Sequence, residues 1–265
     1  MPDGKEYDLV ISGSDQVWNF DCNGKDTCYF LGSIDSSVPC VSYAASMAKV
    51  QLNDFEEQLY KKLLEKFLCI SVREAGAAEL LQPLTSKKIS VSPDPTLLLT
   101  KEDWNKIEKK PKEQNYIFVF MIGNSNKVML KARELSQKTG CELVCIHMDN
   151  IKYEHRWGTI FPCSPDKWLG YIKNAKYVIT DSFHGTVFSI IFQKNFTSLV
   201  KVDAGKNSRI NSLLKELNLE NRAVSELGDK IPDEIDYNKV EPLLENYRSK
   251  GLEYLKEIIS NIKEK

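Results

Sequence analysis

Two short stretches of this sequence carry groups that can hold anions and move protons. The first is Asp181-Ser182-Phe183-His184-Gly185-Thr186: an acid, a hydroxyl and an imidazole, then Gly-Thr. It follows the apolar run Lys176–Thr180 and precedes another, His184–Gln193, so it reads as the turn between a strand and a helix. A helix N-terminus presents backbone N–H groups and about half a positive charge, which suits phosphate or carboxylate. His184 there can donate to an anion or transfer a proton near neutral pH. Ser182, Gly185 and Thr186 can hold the anion, and Asp181 can orient His184 or cap the helix. A cap and an imidazole satisfied by backbone would account for the same letters without any ligand.

The second stretch, Gly13-Ser14-Asp15-Gln16-Val17-Trp18-Asn19, follows the apolar run Tyr7–Ser12. Gly13, Ser14, Gln16 and Asn19 suit a hydroxyl-rich ligand, Trp18 could stack on it, and Asp15 could act as acid or base. The plain alternative is a helix cap at Ser14 or Asp15 with Trp18 in the core. Arg73 follows a third strand and Arg209 opens a helix; either can clamp an anion. Asp94, in Pro93-Asp94-Pro95-Thr96, is a turn former by type and a candidate for contacts to a hydroxyl-rich ligand. His147 ends a strand and His155 lies in the loop Lys152–Trp157, neither with a recognisable partner. No Walker loop, G-x-G-x-x-G or G-x-S-x-G occurs. Cys141 and Cys145 share a strand with too few neighbouring ligands for zinc, so no metal is expected.

These residues need elements to position them. Strands are expected at Tyr7–Ser12, Val38–Ala44, Phe67–Val72 and Lys88–Val91. A helix over Asp54–Phe67 is capped by Asn53 or Asp54, and a short one covers Ala75–Leu81. The polar stretch Lys101–Asn115 reads as a short helix and a linker. Alternation then restarts: strands at Tyr116–Gly123, Cys141–His147, Lys176–Thr180 and Phe196–Val200, with helices over Asn124–Lys138, Ser164–Lys173, His184–Gln193 and Arg209–Leu217. An amphipathic tail over Tyr237–Lys263 forms a long helix with a possible break at Gly251. Strand–helix alternation marks parallel sheets with helices on their faces. The expected division is a first α/β lobe over 1–105, a second over 106–235, and a helix over 236–265 returning toward the first. Ligands in such sheets bind beyond the carboxyl ends of the strands, where both chemical stretches fall.

The composition fits that reading. In 265 residues, 42% are apolar and 28% charged, and 36 Lys and Arg balance 37 Asp and Glu. No basic excess points to nucleic acid. No apolar run approaches the ~18 residues that span a bilayer. Seven unpatterned cysteines and the absence of a signal-peptide pattern suit a reducing cytoplasm.

VISGSDQVWN, SYAAS, ISVRE, SPDPTLLL and ITDSFHGTVFSIIF occur here in the order found in polysaccharide pyruvyl transferases, and the sequence resembles that family over roughly residues 7–215. The resemblance implies two Rossmann-like lobes of the GT-B type and a bacterial, cytoplasmic enzyme of cell-surface polysaccharide synthesis. Its donor would be phosphoenolpyruvate, its acceptor a sugar or lipid-linked oligosaccharide, and no cofactor is implied. His184 matches the family's catalytic histidine. The arginine of the family's Ser-Arg-Leu-His loop falls on Ser182, so positive charge for phosphate must come from Arg209, Arg73 or Lys206, or be absent. Family members begin with a further strand–loop–helix unit, so the first lobe is expected to be incomplete at its N-terminus and poorly active alone. A nucleotide-sugar glycosyltransferase and a non-catalytic carbohydrate-binding remnant are the alternatives.

Overall fold

The computed structural model describes residues 3–123, 125–147, 163–200, 204–225 and 232–263. The chain divides into two compact units. One comprises Met1–Leu98, Asp203–Leu213 and Pro242–Lys265, the other Leu99–Val202 and Leu214–Glu241.

The first unit is built on four short parallel strands, β1 (Val10–Ser12), β2 (Cys40–Ser42), β3 (Ile70–Val72) and β4 (Ile89–Val91). β1 pairs β2 and β3 pairs β4. Single parallel bridges, Val41 to Cys69 and Ala45 to Val72, join the two pairs. α1 (Asp54–Leu64) connects β2 to β3, and α2 (Ala75–Leu81) connects β3 to β4. Asn53 caps α1 in a reciprocal capping box with Glu56. The core beneath is aromatic: Trp18, Phe20, Phe30, Tyr60 and Phe67 pack together, with Trp18 stacked on Phe30 at 5.0 Å. Among the described residues β1 pairs only with β2, and Ile11 is 43% exposed, as an outward side chain on an edge strand is.

In the second unit, α3 (Lys101–Asn105) precedes a five-stranded parallel sheet. Its strands are β5 (Tyr116–Met121), β6 (Glu142–His147), β7 (Tyr177–Thr180), β8 (Phe196–Leu199) and β9 (Ala223–Val224), in the order β6-β5-β7-β8-β9. β5 is buried at every position, as its unbroken apolar sequence requires of a central strand. α4 (Ser125–Thr139) leads from β5 to β6, whereas α5 (Pro165–Asn174) and α6 (Phe183–Ile191) lead in the opposite direction, into β7 and β8. The order therefore reverses between β5 and β7, and their carboxyl ends form a topological switch point.

α7 (Ala204–Glu216) starts five residues before the expected Arg209. α8 (Tyr237–Lys263) runs unbroken through Gly251, which packs closely on Pro93, Tyr43 and Leu98 instead of breaking the helix. His155 and the Lys152–Trp157 loop lie outside the described residues, as does the side chain of Lys206. Cys145 on β6 and Cys141 just before it are both buried thiols. Among the described residues no helix is long and apolar enough to cross a membrane, and no cluster of His, Cys, Asp or Glu could hold a metal ion.

Candidate functional site

The carboxyl ends of β1 to β4 bring together Gly13, Ser14, Asp15, Tyr43, Ser46, Arg73, Glu74 and Asp94. Each strand contributes the residues just after its last pair, which is why groups 80 positions apart in sequence meet. Gly13 permits the approach: its φ is +117°, and a Cβ there would lie 2.2 Å from the Tyr43 carbonyl oxygen. The turn is then fixed by the Ser14 hydroxyl donating to the Ala44 carbonyl at 2.8 Å and by the Ser46 amide donating to the Asp15 carbonyl at 2.9 Å. Asp15 adopts φ +66°, a left-handed conformation that aspartate tolerates better than most residues.

Arg73, 2% exposed, is the centre of the charge cluster. Its Nη1 donates to Asp94 Oδ2 and its Nη2 to Asp15 Oδ1 at 3.1 Å. Asp94 is equally buried, and its other oxygen accepts from the Thr96 amide and hydroxyl at 3.0 and 2.7 Å. Asp94 is thus a fixed counter-ion for Arg73, not an exposed acceptor-binding acid. Arg209 reaches in from α7, its Nη1 3.6 Å from the same Asp15 Oδ1. Burial and the neighbouring Arg73 both push the Arg209 guanidinium below its ordinary pKa. The Asp15 side chain is 61% exposed. The buried Arg73 and the partly buried Arg209 therefore converge on one oxygen of an exposed carboxylate. Tyr43, also buried, keeps its hydroxyl without a hydrogen-bond partner among the described residues, and burial with Asp94 nearby raises its pKa.

In the second unit His184 lies in the first turn of α6, at the carboxyl end of β7 beside the switch point. Its ring is partly exposed and meets the Phe183 ring edge-on at 5.4 Å. The surrounding motif is scaffold. Ser182 is the buried N-cap, its hydroxyl accepting the Gly185 amide at 3.3 Å. The Thr186 hydroxyl bonds the Ser182 carbonyl at 3.0 Å and the Ser198 hydroxyl at 2.7 Å, and the Thr186 amide also donates to Ser182. Ser182, Gly185 and Thr186 were expected to hold an anion; their polar groups instead close the turn. The two oxygens of Asp181 accept the Ile122 and Gly123 amides at 2.7 and 2.9 Å, tying the β5–α4 turn to β7.

Other expectations change as well. Trp18 is wholly buried in the aromatic core and cannot stack on a ligand. Asn19 is 6% exposed, its amide bonded to Gln16 at 2.8 Å and its oxygen to the Asp21 amide at 3.0 Å, so it shapes the loop. Gly13, Ser14 and Gln16 remain at least partly exposed at the strand ends. His147 is buried at the end of β6. Ser46 and Tyr43 had no assigned role, although both lie within the SYAAS segment.

A family model described as polysaccharide pyruvyl transferase matches residues 3–200. No functionally curated protein matches the sequence. Among solved structures, the UDP-GlcNAc 2-epimerase of Methanocaldococcus jannaschii is 12% identical with a TM-score of 0.51, covering 91% of this chain and 70% of that one. The UDP-N-acetylglucosamine 2-epimerase of Rickettsia bellii is also 12% identical, with a TM-score of 0.52, covering 98% and 76%. At that identity the likeness speaks for the fold, an α/β architecture of the GT-B type with parallel sheets. The match over residues 3–200 carries the motif-bearing strand ends of both units, and by it the chain belongs to the polysaccharide pyruvyl transferase family.

Proposed function

We propose that this protein transfers the enolpyruvyl unit of phosphoenolpyruvate to two hydroxyls of a sugar, giving a pyruvate ketal and phosphate. The methylene carbon of the donor takes a proton and becomes a methyl group. The cation this leaves is captured by one sugar hydroxyl, phosphate departs with the donor's C–O bond electrons, and the second hydroxyl closes the ring. Two hydroxyl protons are lost, one balancing the new C–H bond and one carried by phosphate. The chemistry asks for a proton donor, an oxyanion holder and a base.

The observation that carries this reading is the convergence of Arg73 and Arg209 on one oxygen of the exposed Asp15 carboxylate. A pair of guanidiniums suits planar oxyanions. A donor carboxylate or phosphate takes the place of the Asp15 oxygen, and Asp15 turns to the acceptor as the base. Gly13, Ser14 and Gln16 supply hydroxyl contacts beside it. His184 is the proton donor we assign. The acceptor is a polysaccharide precursor sugar, and the protein works in the cytoplasm.

Calorimetry tests the reading directly. Phosphoenolpyruvate should bind the wild type and fail to bind Arg73→Ala, whereas UDP-N-acetylglucosamine should give no heat. Binding of the nucleotide-sugar without phosphoenolpyruvate would replace pyruvyl transfer with nucleotide-sugar chemistry.

A further inference from the structure

Gly251 sits inside α8 and keeps a helical backbone, so conformational freedom does not explain a glycine there. Room does. A Cβ built at this position would lie 2.7 Å from Pro93 Cγ, 2.7 Å from the Tyr43 hydroxyl and 2.9 Å from Leu98 Cδ2, where ordinary contact begins near 3.4 Å. The helix is not free to lift away and make that room. Three residues before Gly251, Arg248 Nε donates to the Leu97 carbonyl, and three residues after it the Tyr254 hydroxyl donates to the Ser42 carbonyl, both at 2.9 Å. Residues three apart are neighbours on a helix surface, so the glycine is the bare point between two pins.

The two residues that meet this bare point carry the two loops of the charge cluster. Tyr43 is 5% exposed, its ring 6.2 Å from that of Tyr254. Its amide donates to the Ser12 carbonyl at 2.9 Å, and its carbonyl is the one that excludes a Cβ from Gly13, so the turn that presents Asp15 rests on it. Pro93 immediately precedes Asp94, and a proline ring moves only with its backbone. Asp15 and Asp94 both accept from Arg73. We propose that Gly251 is a positioning residue of this site: by letting α8 close on Tyr43 and Pro93 together, it sets the spacing of the two loops whose aspartates hold Arg73. The inference rests on the reading of Arg73 as an oxyanion holder.

Two effects of a methyl group at position 251 pull in opposite directions. Alanine is the better helix former, so a glycine that is merely tolerated would be replaced with a gain in stability. A wedge between Tyr43 and Pro93 instead strains the packing. Leu98 ends in a flexible side chain and yields. The proline ring and the buried phenol yield only by shifting the loops they belong to. That shift reaches Arg73 through both aspartates and displaces the guanidinium from the place where an oxyanion meets it. Removing the Tyr43 hydroxyl takes away one of the two unyielding contacts, so Tyr43→Phe should relieve part of the strain.

Calorimetry of the full chain with phosphoenolpyruvate, with thermal melting alongside, separates the two. Gly251→Ala should weaken phosphoenolpyruvate by about tenfold at undiminished stoichiometry, short of the ~10²-fold that a misplacement of about 1 Å can cost a preorganised site. Its melting temperature should not rise. In the Tyr43→Phe background the same substitution should cost clearly less affinity, a coupling that holds whatever Tyr43→Phe does alone. A merely structural role would lower the stoichiometry, through loss of folded molecules, and leave the affinity of the remainder intact. That result overturns the proposal, as does a higher melting temperature with wild-type binding. Equal losses in both backgrounds exclude Tyr43 as the route and overturn it too. If Gly251→Ala does not fold, Tyr254→Phe keeps the glycine and releases one pin; it should bind several-fold more weakly, and wild-type affinity there overturns the role of α8 in the site. A wild type that binds no phosphoenolpyruvate overturns the oxyanion reading and this inference with it, whereas a binding wild type with an indifferent Gly251→Ala overturns the inference alone.

Discussion

His184 and Asp15 separate the proton step from the binding step. His184 is partly exposed in the first turn of α6, so truncating it leaves no buried cavity. His184→Ala should reduce ketal formation by about 10²- to 10⁴-fold, the usual worth of a positioned acid, while phosphoenolpyruvate affinity changes little. Mass spectrometry of the sugar product and calorimetry read the two quantities independently; unchanged turnover would remove His184 from the reaction. Asp15→Asn addresses the other side. Asparagine tolerates the left-handed backbone at this position, so the turn should survive. The variant loses the carboxylate that competes for Arg73 and Arg209. It should bind phosphoenolpyruvate more tightly and turn over more slowly, a fall in both KM and kcat. Weaker binding would mean that Asp15 supports the ligand instead of yielding to it.

At the scale of elements, strand–turn–helix order was readable because period and punctuation are local. The apolar run of β5, the cap at Asn53 and the Ser164–Pro165 start of α5 all carry their own signals. Less local matters were hidden. Nothing in Val10–Ser12 says which edge is covered; among the described residues β1 pairs only with β2. The indole of Trp18 suits a sugar or a core equally, and only the stack on Phe30 decides. Glu74 has the spacing of a cap, but its partner Ser46 lies 28 positions away. The TDSFHGT segment read as an anion loop because serine, glycine and threonine serve turns and ligands alike. Gly185 shows what the turn demands: a Cβ there would lie 2.4 Å from Thr180 Oγ1, which donates to the Phe120 carbonyl and accepts the Ser182 amide. Gly185→Ala should therefore cost about 1–3 kcal/mol by overpacking. It should also lower turnover by displacing the first turn that holds His184. Denaturant unfolding and kcat report the two effects; a variant as stable and active as the wild type would show that α6 shifts without consequence.

For the molecule as a whole, chain order and spatial order part company. The first unit takes its sheet from Met1–Leu98, then recruits Asp203–Leu213 and Pro242–Lys265. α8 is bound into it by specific contacts: Arg248 Nε donates to the Leu97 carbonyl at 2.9 Å and the Tyr254 hydroxyl to the Ser42 carbonyl at 2.9 Å. Leu244, Tyr247 and Ile258 are each at most 5% exposed. Burial of a large apolar side chain contributes about 1.5–3 kcal/mol, so these three alone approach the ~5–15 kcal/mol by which a whole domain is stable. A chain ending at Glu241 should therefore lose the cooperative unfolding of the first unit. The second unit, which keeps β5 to β9, should be hurt far less. Limited proteolysis followed by mass spectrometry can tell them apart: early cuts are expected within Met1–Leu98 and late ones within β5 to β8. Loss of the α8 contacts also frees the Ser42–Tyr43 strand end beside Asp94, so phosphoenolpyruvate binding should fail before the second unit unfolds. Equal resistance of both units in the truncated chain would show that the first unit's sheet and aromatic core stand without α8, and that the helix serves something other than the site.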